Sequence, residues 1–575
     1  MTNSQVADVF DEIADMLEFQ DANPFRVRAY RNAARTIRDL TEPLTAIVND
    51  PDRDLTEIEG IGKDLAEKIA TLVQTGTLPQ HQELMQQVPA SVLSLMRIPG
   101  LGPKKAAALY RELGVKTLED VRRACEEGKV RTLKGFGAKT EKTILEGLAT
   151  AAVAEQRVYW FKADDIARAV REHLRPCKSL EKLEVAGSYR RGRETVGDLD
   201  ILVVSSDPNE VMDRLATFPG VDKVLARGET KMSVRVSQGL QIDLRVVPAE
   251  SFGAALQYFT GSKAHNIKLR GLAKDRGLKI NEYGVFRIKG DQEEWIAGRT
   301  EEEVYAALDL PWFPPEIREA RQEFEWAAQG ELPELIELSD IRGDLHMHTR
   351  ASDGKASLEE MAQEAIARGL KYIAITDHSK RVSMAHGLDE KRLLAQWAEI
   401  DELNQKLEGK ITLFKGVECD ILEKGGMDIA DDVLAQADWV IGSIHYGQKQ
   451  SREQITDRIL GALENPHVDI IAHPTGRLIN HREPYAVDLD AVFKAAKKHK
   501  KMLELNASPE RLDLDDVNCA AAKEHGVPIV ISTDAHSIEG LNAMRLGVIQ
   551  ARRAGLTKKD VANTRTLAQF RKLLN

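Results

Sequence analysis

Two carboxylates stand close together at the start of an apolar run in AGSYRRGRETVGDLDILVVS, residues 186–205. If this run is a β-strand, residues i and i+2 point to the same face, so Asp198 and Asp200 lie side by side. Adjacent carboxylates repel each other, and a bound divalent cation removes that repulsion. A later strand-like segment, QIDLRVV, offers a third acid in Asp243. The pattern predicts a site for two Mg²⁺ ions, the arrangement that supports in-line displacement at phosphorus.

A polar turn precedes this strand. Gly187 and Ser188 follow the apolar segment LEVA, and Arg190 and Arg191 come next. A strand-to-helix turn of this composition offers backbone amides, a hydroxyl and guanidinium groups to a triphosphate. Together with the three acids, the turn predicts a nucleotidyltransferase site.

A second set of polar residues is rich in histidine, because eleven of the 14 histidines follow residue 340. Seven short segments there, mostly β-rich, end in polar ligand types: GDLHMH, YIAITDH, LFKGVE, WVIGSIH, DIIAHP, MLELNAS and IVISTDAH. Nitrogen and oxygen ligands without sulfur suit a cluster of two or three Zn²⁺ or Mn²⁺ ions with open positions for water. Water whose pKa is lowered by such ions attacks phosphorus, so the prediction is a phosphoesterase. The candidate ligands are His346, His348, Asp353, His378, Glu418, His445, His473, Asp534 and His536.

Three short stretches near the N-terminus resemble one another: IEGIGKDLAEKI, IPGLGPKKAAAL and LKGFGAKTEKTI. In each, two glycines permit a tight turn before a helix and let a DNA backbone approach the amides of that helix. This is the pattern of a helix-hairpin-helix, and it predicts a helical region that binds DNA through its backbone. The glycines concerned are Gly60, Gly62, Gly100, Gly102, Gly135 and Gly137.

The hydrophobic pattern predicts a different fold around each of these sites. β-rich runs between helical stretches predict an α+β domain around the acidic trio, and strands alternating with helices after residue 341 predict a parallel (β/α)7 barrel with its chemistry at the strand C-terminal ends. The expected fold is therefore multidomain, α+β and α/β. The expected boundaries are 1–85 and 86–154 for two helical domains, 155–248 for the sheet with the acids, 249–315 for a following domain, 316–340 for a linker and 341–575 for the barrel.

Composition sets the outer limits. A chain of 575 residues exceeds what one hydrophobic core serves, and 42% hydrophobic with 30% charged residues exclude a disordered class. Four cysteines without a CxxC pair exclude a disulfide framework and a thiolate zinc site. The net charge of −11 hides a basic region, roughly +7 over residues 156–290, so a polyanion is expected to bind there. Neither an export signal nor an apolar run of membrane length is found, which predicts a cytoplasmic, nucleoid-associated protein.

The first part of the chain, to about residue 315, resembles the family X DNA polymerases, typified by DNA polymerase β. The resemblance runs through GSYRRGRETVGDLD, QIDLR and LQYFTGSKAHNIKLRGLAKDRGLKINEYGVF, which is similar to the thumb of that family. It implies that Asp198, Asp200 and Asp243 bind the metal ions, and that the triphosphate, sugar and base contacts come from Gly187, Ser188, Arg191, Gly197, Tyr258, Phe259, Gly261, Asn266 and Arg270. Lys263 stands where the family usually has an acid.

The same resemblance places Lys68 where some relatives have the Schiff-base lysine of a deoxyribose-phosphate lyase. A lysine amine attacks the aldehyde of an abasic sugar if neighbouring cations depress its pKa. Arg26, Tyr30 and Lys63 are the candidates for the phosphate contacts.

The barrel resembles the PHP domain, named for polymerases and histidinol phosphatases, on HMH, SDG, TDH, VE, IH, AHP and TDAH. Attached to a bacterial polymerase of family X, such a domain implies a Mn²⁺-dependent 3′ to 5′ exonuclease, with cleavage at abasic sites or of a 3′-phosphate as further activities. Lys380, Arg381, Tyr446 and Arg477 are candidates for guiding a DNA end.

The sequence therefore predicts a monomeric DNA polymerase that fills short gaps in base excision repair and trims the 3′ terminus. Its expected partners are gapped or nicked double-stranded DNA and dNTPs, with no membrane. One alternative is a template-independent nucleotidyltransferase, and another is a DNA-end scaffold with a vestigial polymerase site. A third retains the polymerase but makes the barrel a small-molecule phosphatase.

Overall fold

The chain divides into two compact units in the computed structural model, residues 1–156 and 157–575. The structure describes residues 3–40, 44–50, 53–58, 60–88, 101, 103–115, 117–133, 135–137, 140–141, 144–145, 157–236, 239–290 and 292–574. Among the helices of these ranges, none combines the length and the apolar character that a bilayer crossing requires.

The first unit is helical and shares one apolar core. Phe10, Ile13, Tyr30 and Ile37 are among its fully buried side chains. Helices begin where the sequence supplies caps: the Asn23 side chain accepts a hydrogen bond from the backbone amide two residues on, and a proline follows at the first helical position. The described helices are α1 Asn3–Phe19, α2 Pro24–Asp39, α3 Leu44–Asn49, α4 Lys63–Thr75, α5 Pro79–Gln87, α6 Pro103–Leu113 and α7 Leu118–Glu126.

The second unit begins with a mixed sheet that matches the predicted α+β domain. Its described strands run in the order β2 (Leu180–Val185), β4 (Asp198–Ser205), β7 (Gln241–Val246), β6 (Lys231–Val236) and β5 (Val221–Arg227). β4 and β7 are parallel, and the other pairs are antiparallel. Alternate residues of β4 enter the core with the helices of one face, as the period of two requires. The elements are β1 Val158–Tyr159, α8 Trp160–Leu174, β2 Leu180–Val185, α9 Gly187–Arg190, β3 Thr195–Val196, β4 Asp198–Ser205, α10 Pro208–Ala216, β5 Val221–Arg227, β6 Lys231–Val236 and β7 Gln241–Val246.

A smaller α+β domain follows, with its own core. Its antiparallel sheet has the order β10 (Gln292–Ala297), β9 (Gly284–Lys289) and β8 (Leu278–Asn281). The segment predicted as a linker packs into this core rather than running free, because Ile317 and Phe324 are buried there beside Phe313. The elements are α11 Phe252–Thr260, α12 Lys263–Asp275, β8 Leu278–Asn281, β9 Gly284–Lys289, β10 Gln292–Ala297, α13 Glu301–Ala306 and α14 Glu323–Gln329.

The last domain, residues 343–571 (the barrel), has seven described parallel strands in sequence order, which confirms the predicted fold class. Helices separate the strands, as parallel pairing demands. The elements are β11 Gly343–Asp344, α15 Leu358–Ala367, β12 Tyr372–Ile375, α16 Glu390–Lys406, β13 Thr412–Asp420, α17 Asp431–Leu434, β14 Trp439–Ser443, α18 Arg452–Glu464, β15 Ile470–Ile471, α19 Leu489–His499, β16 Met502–Asn506, α20 Asp516–Glu524, β17 Ile529–Ser532, α21 Met544–Arg553 and α22 Leu567–Arg571.

Side-chain bonds join the first strand of the barrel to the last. Asp344 accepts hydrogen bonds from the amide and hydroxyl of Thr533, at 3.1 and 2.6 Å. The Asn563 amide donates to the carbonyls of Gly343 and Ile531, both at 2.8 Å. At the N-terminal ends of the strands, Phe570 of α22 packs among aromatic strand residues and fills the interior. The polar residues at the opposite ends therefore rest on a closed, rigid base.

The interface between the sheet domain and the smaller domain contains a buried carboxylate whose removal we expect to be costly. Glu301 accepts from Arg190 at 2.7 and 2.8 Å, and from the fully buried Arg318 at 2.5 and 3.1 Å. Burial raises the pKa of Glu301, but these two guanidinium groups outweigh it and hold that pKa at about 2.

Glu301→Ala leaves two cations unpaired, so the free energy of unfolding should fall by about 3–5 kcal/mol. Chemical denaturation followed by circular dichroism measures this change. Glu302, the exposed next residue on α13, is the control, and Glu302→Ala should shift that free energy by less than about 0.5 kcal/mol. Equal effects of the two substitutions would contradict this account of the interface.

Candidate active sites

The three predicted acids of the sheet domain occupy neighbouring positions on two central strands. Asp200 on β4 is the direct cross-strand partner of Asp243 on β7, and Asp198 lies two residues along β4, exposed at the strand start. Burial, together with the carboxylates of Asp198 and Asp243, raises the pKa of Asp200 to about 7. The donor set therefore fits divalent cations, because mutual repulsion makes the acids poor neighbours without them.

Asp243 is held by its own strand neighbours. The Ser233 hydroxyl donates to one of its carboxylate oxygens, and the Gln241 amide donates to the other at 3.0 Å. Among the described residues, the groups whose ligand atoms all lie within 4.8 Å of one another belong to the barrel. The carboxylates of the sheet acids are therefore less closely grouped than the ligand atoms of the barrel.

The predicted triphosphate turn (the Gly187 turn, residues 186–193) packs directly against these acids. Gly187 has a φ of +67°, and a Cβ at this position would lie 2.9 Å from a carboxylate oxygen of Asp200. Only glycine combines that backbone conformation with that approach. The Ala186 amide donates to the Asp200 carbonyl at 2.7 Å, which fixes the turn to β4. Ser188 is half-buried in the turn, and Gly197 is exposed immediately before Asp198.

Arg191 has partners inside the protein. Its Nε donates to Glu319 at 3.1 Å, and its Nη1 donates to the Thr260 carbonyl at 2.5 Å. Gly261 follows that carbonyl, and a Cβ there would lie 3.2 Å from Arg191 Nη1. The predicted sugar-contacting segment is thus fastened to the Gly187 turn.

The other predicted nucleotide contacts lie on α11 and α12. The Tyr258 and Phe259 rings meet edge to face, with centroids 5.1 Å apart. Asn266 donates to the Tyr258 carbonyl and accepts from Gln257, both at 2.8 Å, so its amide braces α11 against α12. Arg270 is exposed one turn further along.

The barrel brings the predicted metal ligands together at the C-terminal ends of its strands. Glu418 is central: one of its oxygens lies 3.0 Å from His473 Nε2 and 3.4 Å from His445 Nε2. Its other oxygen lies 2.8 Å from His378 Nδ1 and 3.4 Å from His346 Nε2. Three groups of ligand atoms converge, namely His348, Asp353, His378 and His536; His346, His348 and Asp534; and His378, Glu418 and His445.

Several buried polar atoms of this cluster make no hydrogen bond of good geometry with the described residues, although Glu418 Oε2 lies 2.8 Å from His378 Nδ1. A polar atom in this situation ordinarily costs about 1–3 kcal/mol, so metal coordination gives such atoms a role. Burial, with the charges of His378 and His536, lowers the pKa of His348 to about 4. The atoms are His346 Nε2, His348 Nδ1, His378 Nδ1, Glu418 Oε2 and His473 Nδ1. The residues present therefore fit a metal cluster.

Two buried acids behind the ligands were missed by sequence reasoning. Glu504 accepts from His346 Nδ1 at 2.7 Å and from the His473 amide at 2.7 Å. Asp420 contacts His445 Nδ1 at 3.1 Å and accepts from its amide at 2.9 Å. Each acid contacts Nδ1 of one imidazole, that of His346 or His445, and so leaves Nε2 of that ring towards the cluster. The sequence signal for these two residues was an acid within an otherwise apolar strand segment, Glu504 in MLELN and Asp420 in VECDI.

Two helix-hairpin-helix turns in the first unit share one geometry. Gly60 and Gly135 have φ values of +88° and +86°. After each, an amide donates back three residues (Ile61 to Ile58 and Phe136 to Leu133), and the carbonyls of Gly62 and Gly137 accept from the next helical turn. Gly100 and Gly102 lie outside the described residues.

Family models match five segments of the chain: a helix-hairpin-helix domain over 1–78, a SAM-like helix-hairpin-helix tandem over 92–150, the DNA polymerase beta palm over 161–247, the DNA polymerase beta thumb over 255–319 and a PHP domain over 344–508. A Bacillus subtilis (strain 168) protein named DNA polymerase/3′-5′ exonuclease PolX is 43% identical over 569 residues, which cover 99% of this chain and 98% of that protein.

This chain belongs to the PolX family. The predicted resemblance is confirmed over the whole length, with polymerase and PHP domains in one chain. Two Thermoanaerobacter proteins, each named a probable phosphatase, are 32% identical over 233 residues, which cover 38% of this chain and 89% of theirs.

Lys68, the lysine of the predicted lyase role, has two neighbours in the structure. Its ammonium group lies 2.5 Å from Asp64 and faces the Tyr30 ring. Burial lowers the pKa of Lys68, but Asp64 and Tyr30 outweigh burial and raise it above its ordinary value. Tyr30 is buried and donates to Gln80 at 2.8 Å, whereas Arg26 and Lys63 are exposed. The lyase role of Lys68 stays a prediction.

The position of Glu504 behind His346 leads to a test of the barrel site. Glu504→Gln should weaken Mn²⁺ binding about 10–100-fold, because the imidazole loses its charged acceptor. Titration calorimetry on chelator-treated protein carrying Asp198→Ala and Asp200→Ala isolates the barrel site. Glu510→Gln, at an exposed position after β16, is the control and should bind as the parent does. Equal affinity for all three proteins would show that Glu504 has no such role.

Proposed function

We propose that this PolX protein fills short gaps in double-stranded DNA, as in base excision repair, and processes the 3′ end of the growing strand in its barrel. One observation carries the proposal: a repelling acidic trio on β4 and β7 occurs in the same chain as a convergent cluster of imidazoles and carboxylates. The Bacillus subtilis relative is named for both activities, DNA polymerase and 3′-5′ exonuclease. The catalytic unit is expected to be a monomer.

In the sheet domain, Asp198, Asp200 and Asp243 would bind Mg²⁺. When bound, such ions stabilise the negative charge that develops at phosphorus during in-line displacement. The primer 3′-hydroxyl attacks the α-phosphorus of the dNTP, and pyrophosphate leaves. The chain orients the nucleotide: Gly187, Ser188, Arg191 and Gly197 at the triphosphate, Tyr258, Phe259 and Gly261 at the sugar, and Asn266 and Arg270 at the base.

In the barrel, the nine clustered residues would bind Mn²⁺ or Zn²⁺, which lowers the pKa of water for attack on a phosphodiester. The surroundings suit an anionic strand. A cavity of about 480 Å³ beside the loop of Asp353 is lined by Arg350, Lys380 and Arg392. The Arg381 guanidinium stacks on the Tyr446 ring at 4.5 Å. Arg477 is half-buried and pairs with Glu194 and Asp515.

The helix-hairpin-helix turns would hold the strands beside the gap. Exposed glycines at Gly60, Gly62, Gly135 and Gly137 leave the backbone open to a phosphate, and this contact carries no sequence preference. Gaps of any sequence would then be substrates.

Substitutions at the two sites should have opposite effects on one gapped duplex. Asp200→Ala should reduce incorporation by roughly 10³-fold or more while leaving 3′-5′ degradation intact, because several kcal/mol of charge stabilisation depend on that carboxylate. His346→Ala with His348→Ala should do the reverse. A denaturing gel with Mg²⁺ or Mn²⁺, with and without dNTPs, resolves growth and degradation together.

Full incorporation by Asp200→Ala would refute the assignment of the acidic trio. A single-stranded primer in the same assay tests the transferase alternative, because template-independent tailing would extend it as well as the gapped duplex.

A 3′-phosphorylated primer tests whether the two sites act in sequence. The barrel would remove the phosphate and expose the hydroxyl that polymerisation needs. We therefore expect the intact protein to extend this primer and the variant with His346→Ala and His348→Ala to leave it unextended. Equal extension by both proteins would defeat the coupling, and a 3′-hydroxyl primer extended by both is the control.

The two relatives named probable phosphatases favour a second candidate, hydrolysis of a small phosphomonoester by the barrel. Labelled DNA and histidinol phosphate, offered to the same protein at equal concentration, separate the two. Preference for histidinol phosphate would assign the barrel to small molecules.

A further inference from the structure

The Gly187 turn contacts the barrel as closely as it contacts its own sheet. Gly192 lies against α21: its φ is +66°, and a Cβ there would lie 2.2 Å from Ile549 Cγ2. Arg553, at the end of α21, donates to the Arg191 carbonyl at 2.7 Å. The backbone of the turn is therefore fixed from outside the polymerase domains.

A buried chain of charges reinforces this contact. Glu319 lies 3.1 Å from Arg191 Nε and 3.0 Å from Arg553 Nη1. Arg553 Nη2 lies 2.7 Å from Asp516, which is also 3.1 Å from Arg321. Arg553 is 1% exposed, so its charge is withdrawn from water and depends on these acids. Burial raises the pKa of Glu319, but Arg553 and Arg191 outweigh it and hold the pKa at about 2, which keeps the link ionised.

The barrel also holds the far side of the same segment. Arg477, in the loop after the cluster residue His473, pairs with Glu194 at 2.7 Å. The Asn480 amide in that loop donates to the Arg157 carbonyl at 2.9 Å. Glu194 comes just before β3 and four residues before Asp198, so barrel contacts flank the stretch from the turn to the first acid.

We propose that α21 of the barrel is a structural part of the polymerase site and that Arg553 is a positioning residue for the incoming nucleotide. The side-chain hydrogen bonds of Arg553 run to the Arg191 carbonyl, Glu319 and Asp516, and not to the acidic trio on β4 and β7. Arg553 sets the turn through the Arg191 carbonyl and sets the Arg191 guanidinium through Glu319. The proposal rests on the function proposed above, in which this turn holds the triphosphate.

Steady-state incorporation on a gapped duplex, with the dNTP varied, tests this role in the full chain. Arg553→Met should raise KM for the dNTP roughly tenfold, equivalent to about 1.4 kcal/mol, with a smaller change in kcat. Exonuclease activity and the Kd for gapped DNA should not change. Arg553→Lys retains the charge but not the forked contacts, so its KM for the dNTP should lie between those of the parent and of Arg553→Met.

The neighbouring Arg552 offers a matched control. Arg552 also extends from α21, and it donates to Glu316 at 2.8 Å and to the Ile336 carbonyl at 3.0 Å. Neither of these partners belongs to the Gly187 turn. Arg552→Met should leave KM for the dNTP within about twofold of the parent.

A second pair of variants tests the same contact if Arg553→Met does not fold. Gly192→Ala introduces a methyl group against Ile549 and should raise KM for the dNTP. Adding Ile549→Ala removes the clashing Cγ2 atom and should restore part of the affinity. A role limited to stability would not produce this rescue in KM.

The inference is overturned if Arg553→Met has the parental KM, or if incorporation, exonuclease activity and the unfolding midpoint fall together in Arg553→Met and Arg552→Met. Failure of the proposed function is distinguishable, because the parent protein itself would then not extend the gapped primer.

Discussion

Ionisable side chains that are held close together are the constraint on which this molecule depends. In the barrel, several imidazole nitrogens and a carboxylate oxygen are buried together without a hydrogen bond of good geometry among the described residues. In the sheet domain three acids share one end of two strands. Such groups separate or rearrange unless a rigid scaffold holds them. The plugged, side-chain-closed barrel and the paired central strands provide that rigidity. The local cost of each site is offset by the packing behind it.

Much of this arrangement could be predicted from the sequence because the relevant periods are short. Asp198 and Asp200 share a face because a strand repeats every two residues, and this holds without knowledge of the fold. The barrel ligands follow apolar segments, and the C-terminal ends of parallel strands must meet at one edge. The two glycines of IEGIGKDL and LKGFGAKT likewise define their turns locally, as the matching φ values of Gly60 and Gly135 show.

The features that escaped prediction depend on contacts distant in the chain. Glu504 is 158 residues from His346, so nothing near either residue indicates their bond. Lys68 was assigned by its place in a motif, but its pKa depends on Asp64 and on the buried Tyr30 ring. Arg477 was a candidate for a DNA contact, yet its guanidinium donates to Glu194, which is 283 residues away in the chain. A sequence pattern shows which chemistry is available, but which charge meets which is determined by tertiary packing.

The ion pairs between α21 and the end of the thumb also bear on how such proteins diversify. A gene fusion that joined the polymerase half of one relative to the barrel of another would place Glu319 against whatever residue the donor has at position 553. A neutral side chain there would remove the ion pair between Glu319 and Arg553 and leave the one between Glu319 and Arg191. Buried charges of this kind tolerate loss of a partner poorly. Shuffling of these domains is therefore constrained to barrels that bring a matching cation, and the two halves inherit their interface as a unit.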